Sequence, residues 1–259
     1  MVEESSLLHR QVYPSRRFRC ELPRALSTNC AMFRAHLDPK PKATYPRPMP
    51  LPSEHELRKT IVEVCRRMWV RRLVAGTEGN VSARLGGDRF LVTPAASDKG
   101  FMDGGDLVLV DGTGTPLGRG TPTSELPLHL EVYAIRPDIG AVVHAHPPAV
   151  VAATLAEVDI TRPVLPEAIL ALRGVGVAEY QRPGTKALAR SAAESVRSCD
   201  SGVLNQHGAI TVGSHPVDAL HRMEMLEAVA DALLRAHAVG RVRDLPQEEQ
   251  TALRALLQK

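Results

Sequence analysis

The heptapeptide GAVVHAH, residues 140–146, decides the fold of this chain, because its apolar residues predict a strand of a core sheet that stops at Pro147. Successive side chains of a strand point to opposite faces, so His144 and His146 project from the same side. Two neutral imidazoles at that separation can share a metal ion. A polar pair on a solvated strand face is the alternative interpretation, but the apolar run before His144 favours a buried strand end.

Outward from this strand, segments with helical spacing of apolar residues alternate with short apolar segments typical of strands. Ser53 and Glu56 form a capping-box pattern, which predicts the start of a helix that ends near residues 75–76. The other predicted helices cover residues 124–135, 148–157, 185–197, 217–238 and 246–258. Further strands are predicted at residues 89–93, 106–110, 174–180 and within 202–212. The alternation predicts a single α/β domain over residues 53–259.

Residues 1–52 differ in composition from the rest of the chain, and we predict a largely disordered leader there. Pro and Arg are frequent, and no helical or strand period is sustained. Residues 1–50 carry nine Lys or Arg and four Asp or Glu, a balance of +5, whereas the whole chain carries +3. The remaining residues are therefore slightly acidic, and the basic leader gives no reason to expect nucleic acid as a partner.

The composition excludes several classes of protein. Aromatic residues make up 3% of the chain, too few for the stacking surfaces of single-stranded nucleic-acid binders. None of the four cysteines forms a CxxC pair, which argues against a disulfide framework or a zinc–thiolate site. No apolar run approaches the roughly 20 residues that span a bilayer, and no signal peptide is recognisable. We therefore expect a cytoplasmic protein that has no membrane partner.

Two further residues are candidates for the same metal site. His207 precedes Gly208, which lets the backbone turn and bring the imidazole close to a ligand. Three histidines can hold a catalytic divalent ion and leave one position open for a substrate. Glu125 lies at the predicted start of a helix with Ser124 as its N-cap, where the positive helix end favours anions. An acid in a first helical turn can also merely complement the helix dipole, so the pattern leaves the role of Glu125 open.

The segment GTEGNVS at residues 76–82, here called the glycine loop, follows the first predicted helix. Such a loop can present backbone N–H groups and hydroxyls to phosphate oxygens. It lacks the Gly-Lys-Ser/Thr ending of a Walker loop and is not a GxGxxG segment. An ordinary glycine-rich turn is the alternative interpretation. His129, four residues after Glu125 on the same helix face, is expected to give hydrogen-bond support, and Lys99 is interpreted as a turn residue.

Five motifs occur in the order found in one known family. They are GTxGNxS at residues 76–82, VTP at 92–94, PTSE at 122–125, RPDxxAVVHxHP at 136–147 and HG at 207–208. By these motifs the chain resembles the class II aldolase/adducin family over about residues 54–240, and is most similar to its fuculose-phosphate aldolase branch. One departure follows VTP, where Ala95 and Ala96 replace the hydroxyl residue and the glycine that are usual in the family.

The resemblance implies a three-layer α/β/α domain with a central, mostly antiparallel sheet. It also implies a homotetramer with active sites at subunit interfaces. It further implies Zn2+ or another divalent metal ion held by His144, His146 and His207. The motif glutamate, Glu125, would ligate the resting metal and then act as the catalytic acid and base. The residues that match phosphate-contacting positions of the family are Thr77, Gly79, Asn80, Thr93, Thr123 and Ser124.

The activity that the resemblance implies is that of a metal-dependent aldolase, a carbon–carbon lyase. Its substrate would be a small ketose 1-phosphate such as fuculose 1-phosphate, cleaved through a metal-stabilised enediolate. A sugar-phosphate 4-epimerase and a methylthioribulose-phosphate dehydratase are alternatives within the family. A non-enzymatic adducin-like domain is an alternative from another class, which the presence of all three histidines and Glu125 disfavours.

Overall fold

The computed structural model describes residues 52–257, so the predicted leader lies outside the described residues except for Pro52. Helices and strands alternate along this part of the chain, as the sequence predicts. The helices are α1 (Glu54–Val70), α2 (Leu126–Ile135), α3 (Pro148–Leu155), α4 (Pro166–Leu170), α5 (Lys186–Ser195), α6 (Pro216–Val239) and α7 (Gln247–Leu256). The strands are β1 (Asn80–Gly86), β2 (Arg89–Val92), β3 (Val108–Asp111), β4 (Ala141–Ala145), β5 (Gly176–Ala178), β6 (Ser201–Leu204) and β7 (Gly208–Gly213).

These strands form one mixed sheet in the order β3-β2-β1-β4-β7-β6-β5. Only the β5–β6 pair is parallel among the described strand pairs, which confirms the mostly antiparallel sheet. The strand that carries the GAVVHAH sequence, β4, lies at the centre and is buried along its whole length. Its register places Asn80 of β1 opposite His144, so the glycine loop ends beside the histidine pair.

Helices cover both faces of the sheet, which confirms the predicted three-layer arrangement. On one face α1, α3 and α6 pack over a core that includes Ile61, Val143 and Met223. On the other face α2 and α5 pack against each other and over a second core that includes Val142 and Ile210. Adjacent residues of β4 thus enter opposite cores, as expected for a central strand with both faces covered. Within residues 52–257 no helix has the length and apolar character needed to cross a bilayer.

Several predicted elements differ from those observed. The strand β1 was not predicted, because its buried Asn80 and Ser82 interrupt the apolar pattern. The predicted strand within residues 202–212 is an antiparallel pair, β6 and β7, joined by a turn that carries His207. The prediction of Ser124 as the N-cap of α2 is wrong: Glu125 occupies that position, and no side chain caps the helix. The Leu126 N–H is instead bonded to the Thr123 carbonyl, so the chain turns one residue later than predicted.

Candidate metal centre and substrate cleft

The end of β4 and the turn between β6 and β7 bring three imidazoles together. We call this group the histidine cluster; it comprises His144, His146 and His207. Their ring centroids lie 4.9 to 5.0 Å apart, and one nitrogen from each ring lies within 4.8 Å of the others. A Cβ at Gly208 would lie 2.4 Å from the Ala145 carbonyl oxygen, so only glycine lets the β6–β7 turn approach β4 this closely. The pairing of β4 with β7 therefore brings His207 to the other two histidines.

Glu125 lies beside this cluster. Its Oε2 is 3.2 Å from His144 Nε2, and its Oε1 is 3.6 Å from His207 Nε2. Burial opposes ionisation of Glu125, but His144 and a hydrogen bond from Asn80 hold the pKa of the carboxyl well below its usual range. The side chain is thus a carboxylate at neutral pH that faces two imidazoles at once.

The donor set of this cluster fits a divalent cation. His144 Nδ1 is 2.9 Å from the Ala209 carbonyl oxygen and must donate to it, so in the neutral ring Nε2 carries the lone pair that ligation requires. That Nε2 lies 3.2 Å from His146 Nε2, so two ring nitrogens meet beside the carboxylate. Burial and the neighbouring His144 lower the pKa of His207 to about 4, so this ring is neutral at pH 7 and has the lone pair that ligation requires.

A buried network of hydrogen bonds orients Glu125 from behind. His129 is fully buried, with Nε2 2.5 Å from Asn80 Oδ1 and Nδ1 2.6 Å from Ser82 Oγ. Because the Asn80 oxygen can only accept, the amide nitrogen faces Glu125 and donates to its Oε2 at 2.9 Å. Tyr133 extends the network to Ser82 at 3.0 Å. His129 therefore has the supporting hydrogen-bond role predicted for it and does not join the histidine cluster.

One open cleft connects the cluster with most of the predicted phosphate-contacting residues. It is here called the histidine cleft, and the predicted residues that line it are Thr77, Gly79, Asn80, Thr123, Ser124, Glu125, His146 and His207. The structure does not bring Thr93 to this lining: its side chain is fully buried, and its hydroxyl accepts the Val81 N–H at 3.2 Å. The hydroxyl of Thr93 thus has a structural partner and is turned away from the cleft.

Two charged residues that sequence reasoning did not assign to the site also border this cleft. Glu78 places Oε2 3.4 Å from His146 Nδ1, on the ring edge opposite to His144. Lys99 extends into the cleft wall from the turn after β2. Neither residue occupies a defined position of a motif. The sequence signal that could have identified them is a charged side chain within a predicted turn. A carboxylate on the outer nitrogen of a ligating histidine fixes the orientation of the ring and raises its basicity.

Of the two glycines in the glycine loop, Gly79 is the one that the structure requires more strongly. Gly76 and Gly79 have φ of +54° and +71°, so alanine at either position costs about 1–2 kcal/mol of conformational strain. A Cβ at Gly79 would also lie 2.5 Å from Val74 Cγ1, whereas nothing lies within 4 Å at Gly76. We expect Gly79→Ala to lower the free energy of unfolding by roughly 1–3 kcal/mol more than Gly76→Ala, measured by chemical denaturation. Equal losses would contradict the packing of this loop against its neighbours.

Acidification should destabilise the protein when it is treated with chelator. Burial lowers the pKa of His129 to about 3, and burial together with His144 lowers that of His207 to about 4. The unfolded chain binds these protons near pH 6.5, so the stabilisation is complete above pH 6.5 and is lost as the pH falls toward 4. His129 alone should contribute a loss on the order of 3 kcal/mol between these limits.

The measurement is the free energy of unfolding across this pH range, with chelator at every point. His144 does not obscure the result: burial opposes its protonation, but Glu125 raises its pKa, so its contribution changes only above pH 6.5. A free energy of unfolding that stays level from pH 6.5 to pH 4 would show that these rings are not buried in their neutral form.

Comparison with known proteins identifies a family model and several similar chains. The model described as Class II Aldolase and Adducin N-terminal domain matches residues 59–234. L-Fuculose phosphate aldolase of Methanocaldococcus jannaschii is 33% identical over 178 residues, which cover 68% of this chain and 95% of that protein. The 3,4-dihydroxyphthalate decarboxylase of Terrabacter sp. is 34% identical over 76% of this chain and 88% of that protein.

A solved structure supports the same relationship. The crystal structure of L-fuculose-1-phosphate aldolase from Thermus thermophilus is 30% identical and has a TM-score of 0.64. The match covers 73% of this chain and all of that one. The sheet order and the histidine cluster described above therefore lie within a segment that is shared with these proteins.

Proposed function

The chain belongs to the class II aldolase and adducin family and is a lyase, and we propose that it cleaves a carbon–carbon bond of a small ketose 1-phosphate such as fuculose 1-phosphate. The observation that carries this proposal is the meeting of three imidazoles and Glu125 beside a cleft that the glycine loop also lines. An adducin-like domain without catalysis would not require that donor set. The fuculose-phosphate aldolase relatives support the aldol type of cleavage.

In this proposal His144, His146 and His207 hold a divalent ion, which we propose to be Zn2+, with Glu125 as a further ligand in the resting site. When bound, such an ion supplies a Lewis acid for the substrate ketone and for the negative charge that develops as the bond breaks. The three imidazoles are neutral ligands or can become so, and they leave one coordination position for the substrate. The Ala209 carbonyl fixes the tautomer of His144 that this role requires.

In cleavage the hydroxyl on the departing carbon loses its proton as the carbon–carbon bond breaks. Glu125, a carboxylate in the resting site, takes up this proton and gives it to the carbon from which the aldehyde departs, and condensation reverses both transfers. Asn80 donates a hydrogen bond to Oε2, which leaves Oε1 available on the side of His207. Thr77, Thr123 and the backbone of Gly79 orient the phosphate, because they line the same cleft as this carboxylate. Holding the phosphate in this way places the reacting carbon near the acid, which lowers the entropic part of the barrier.

The test is an assay of the purified full chain with fuculose 1-phosphate and related ketose 1-phosphates. Dihydroxyacetone phosphate and an aldehyde should appear, activity should disappear with chelator, and added divalent metal should restore it. Product analysis separates the alternatives: an epimerase returns an isomeric ketose phosphate, and a dehydratase releases water without cleavage. Full activity in metal-free protein would end the proposal.

Decarboxylation is a second candidate, favoured by one observation. The dihydroxyphthalate decarboxylase is 34% identical over 76% of this chain, a longer stretch than the 68% matched by the aldolase of M. jannaschii. The same histidine cluster would hold a divalent ion, which would supply a Lewis acid for the negative charge left when a carboxylate substrate loses carbon dioxide. Release of carbon dioxide from a dihydroxybenzoate-type acid, with no cleavage of ketose phosphates, would favour this candidate.

We also propose the family's homotetramer for this chain. Trp69 and Phe101 form an edge contact at 5.4 Å between ring centroids and are 42% and 75% exposed. Exposed aromatic side chains of this size are typical of protein interfaces. Light scattering coupled to size exclusion should give four times the mass of one 28.1 kDa chain. A monomer mass at micromolar concentration would contradict the tetramer.

A further inference from the structure

Lys99 is a buried cation in the wall of the histidine cleft. It is 1% exposed, although it lies in the turn between β2 and β3, where lysine is normally solvated. Its Nζ donates hydrogen bonds to the Ser97 carbonyl at 2.6 Å, to the Thr77 carbonyl at 3.1 Å and to Ser97 Oγ at 3.3 Å. All three ammonium protons thus have acceptors, and one acceptor belongs to the glycine loop.

These acceptors satisfy the hydrogen bonds of Lys99 but carry no full negative charge. Within residues 52–257 no ion pair joins Lys99 to a carboxylate at 4.0 Å or less. The adjacent Asp98 is exposed and uses Oδ1 to accept the Gly100 N–H at 2.9 Å. Burial lowers the pKa of Lys99, with Cys65 and Asp98 opposing the shift. An unpaired buried charge is costly, so a site that keeps one is expected to receive the opposite charge from a ligand.

The turn that carries Lys99 is fixed in place. The ring of Trp69 packs so closely on Gly100 that a Cβ there would lie 2.7 Å from Trp69 Cδ2. Ser97 Oγ donates to the Pro94 carbonyl at 3.0 Å, and the Phe101 N–H bonds to the Asp98 carbonyl at 3.3 Å. The position of the ammonium group is therefore built into the structure, which distinguishes Lys99 from a flexible surface lysine.

Another part of the cleft lining has no side chain that could donate a hydrogen bond to an anion. Ala95 and Ala96 also line the cleft, and the side chain of each is a methyl group. Neither methyl group can donate a hydrogen bond to an anion. Lys99 lies three residues further on and contacts the carbonyl of Thr77, which is one of the residues proposed to orient the phosphate.

We propose that Lys99 supplies the counter-charge for the anionic group of the substrate at the glycine loop and so makes this cleft selective for anions. The inference rests on the proposed function for the identity of that group as a phosphate. Lys99 is a positioning residue. Its ammonium group donates a hydrogen bond to the Thr77 carbonyl, and its charge attracts the anion from the other side of the loop backbone. A carboxylate has the same charge chemistry, and the experiment distinguishes the two sources.

The experiment measures the binding of inorganic phosphate, and separately of malonate, to the metal-loaded full chain by calorimetry. Lys99→Met removes both the charge and the hydrogen bonds, whereas Lys99→Gln keeps a donor for the Thr77 carbonyl and removes the charge. We expect both variants to bind the preferred anion about tenfold or more weakly. Lys59→Met, at an exposed position of α1, should bind it as the unmodified protein does.

A second readout separates this role from a purely structural one. Lys99→Met replaces an unpaired buried cation with an apolar side chain of similar length, so its unfolding temperature should be equal to or above that of the unmodified protein. In an aldolase assay KM for the phosphorylated substrate should rise more than kcat falls. Metal content should stay unchanged in both variants.

Anion affinity within twofold of the unmodified protein in Lys99→Met would overturn the inference. Full affinity in Lys99→Gln would overturn it as well, because the hydrogen bond to Thr77 would then suffice without the charge. The inference would also be overturned if the unmodified protein bound neither phosphate nor malonate. If phosphate binding depends on Lys99 but no ketose phosphate is cleaved, the inference stands and the proposed function falls.

Discussion

Replacement of His144 by alanine should remove the bound divalent ion and lower the rate of ketose phosphate cleavage by at least about a thousandfold. His144 is fully buried, and its Nδ1–H is already committed to the Ala209 carbonyl. Its Nε2 faces both His146 and Glu125, so the substitution removes the imidazole nearest to the carboxylate. Metal content by elemental analysis and the cleavage rate of the same preparation check the prediction.

The matched control is His237→Ala, which removes an exposed histidine from α6 far along the chain from the histidine cluster. It should leave metal content and turnover unchanged. His144→Ala also leaves a buried cavity, so circular dichroism and the unfolding temperature must show that the variant is folded. A folded His144→Ala protein with full metal content and full turnover would remove this residue from the proposed centre.

Glu125→Gln should retain the metal ion but lose roughly 100- to 10,000-fold in turnover, the usual range for a lost general acid–base. Glutamine preserves the size of the side chain, but it cannot transfer a proton in either direction of the reaction. The hydrogen bond with Asn80 can persist, because the Asn80 amide can still donate to the new side-chain oxygen. The pattern expected is a fall in kcat that is larger than any change in KM.

Glu131→Gln serves as the control, since it makes the same change on the same helix, α2, away from the cleft lining. Its turnover should match that of the unmodified protein. Metal analysis of Glu125→Gln is essential, because loss of the ion would reduce turnover without revealing the role of the carboxylate. Full turnover in a metal-loaded Glu125→Gln protein would exclude Glu125 as the acid and base.

The sequence predicted the central part of the fold because local patterns report burial directly. The apolar run before His144 identified β4, and strand alternation placed His144 and His146 on one side. The order of the motifs led to the three-layer arrangement and to the residues of the histidine cluster, which the sheet brings together. Gly208 signalled the turn that carries His207, although the pattern did not reveal that this turn joins two strands.

Other features could not be read from the sequence, since they depend on partners far along the chain. The strand β1 contains two buried polar residues, Asn80 and Ser82. Their hydrogen-bond partners include His129 and Tyr133, which lie on a helix more than forty residues later in the chain. Thr93 matched a motif, yet its hydroxyl accepts a backbone N–H within the sheet. A local pattern contains no information about such pairings.

The sequence by itself determined which residues can hold a metal ion and where the central strand lies, because residue chemistry and alternation are local properties. The tertiary structure alone decided that Lys99 is a buried cation behind the glycine loop. The reason is physical: the environment of a charge depends on the segments that surround it, and Trp69, Ser97 and Thr77 enclose this turn only after the chain has folded.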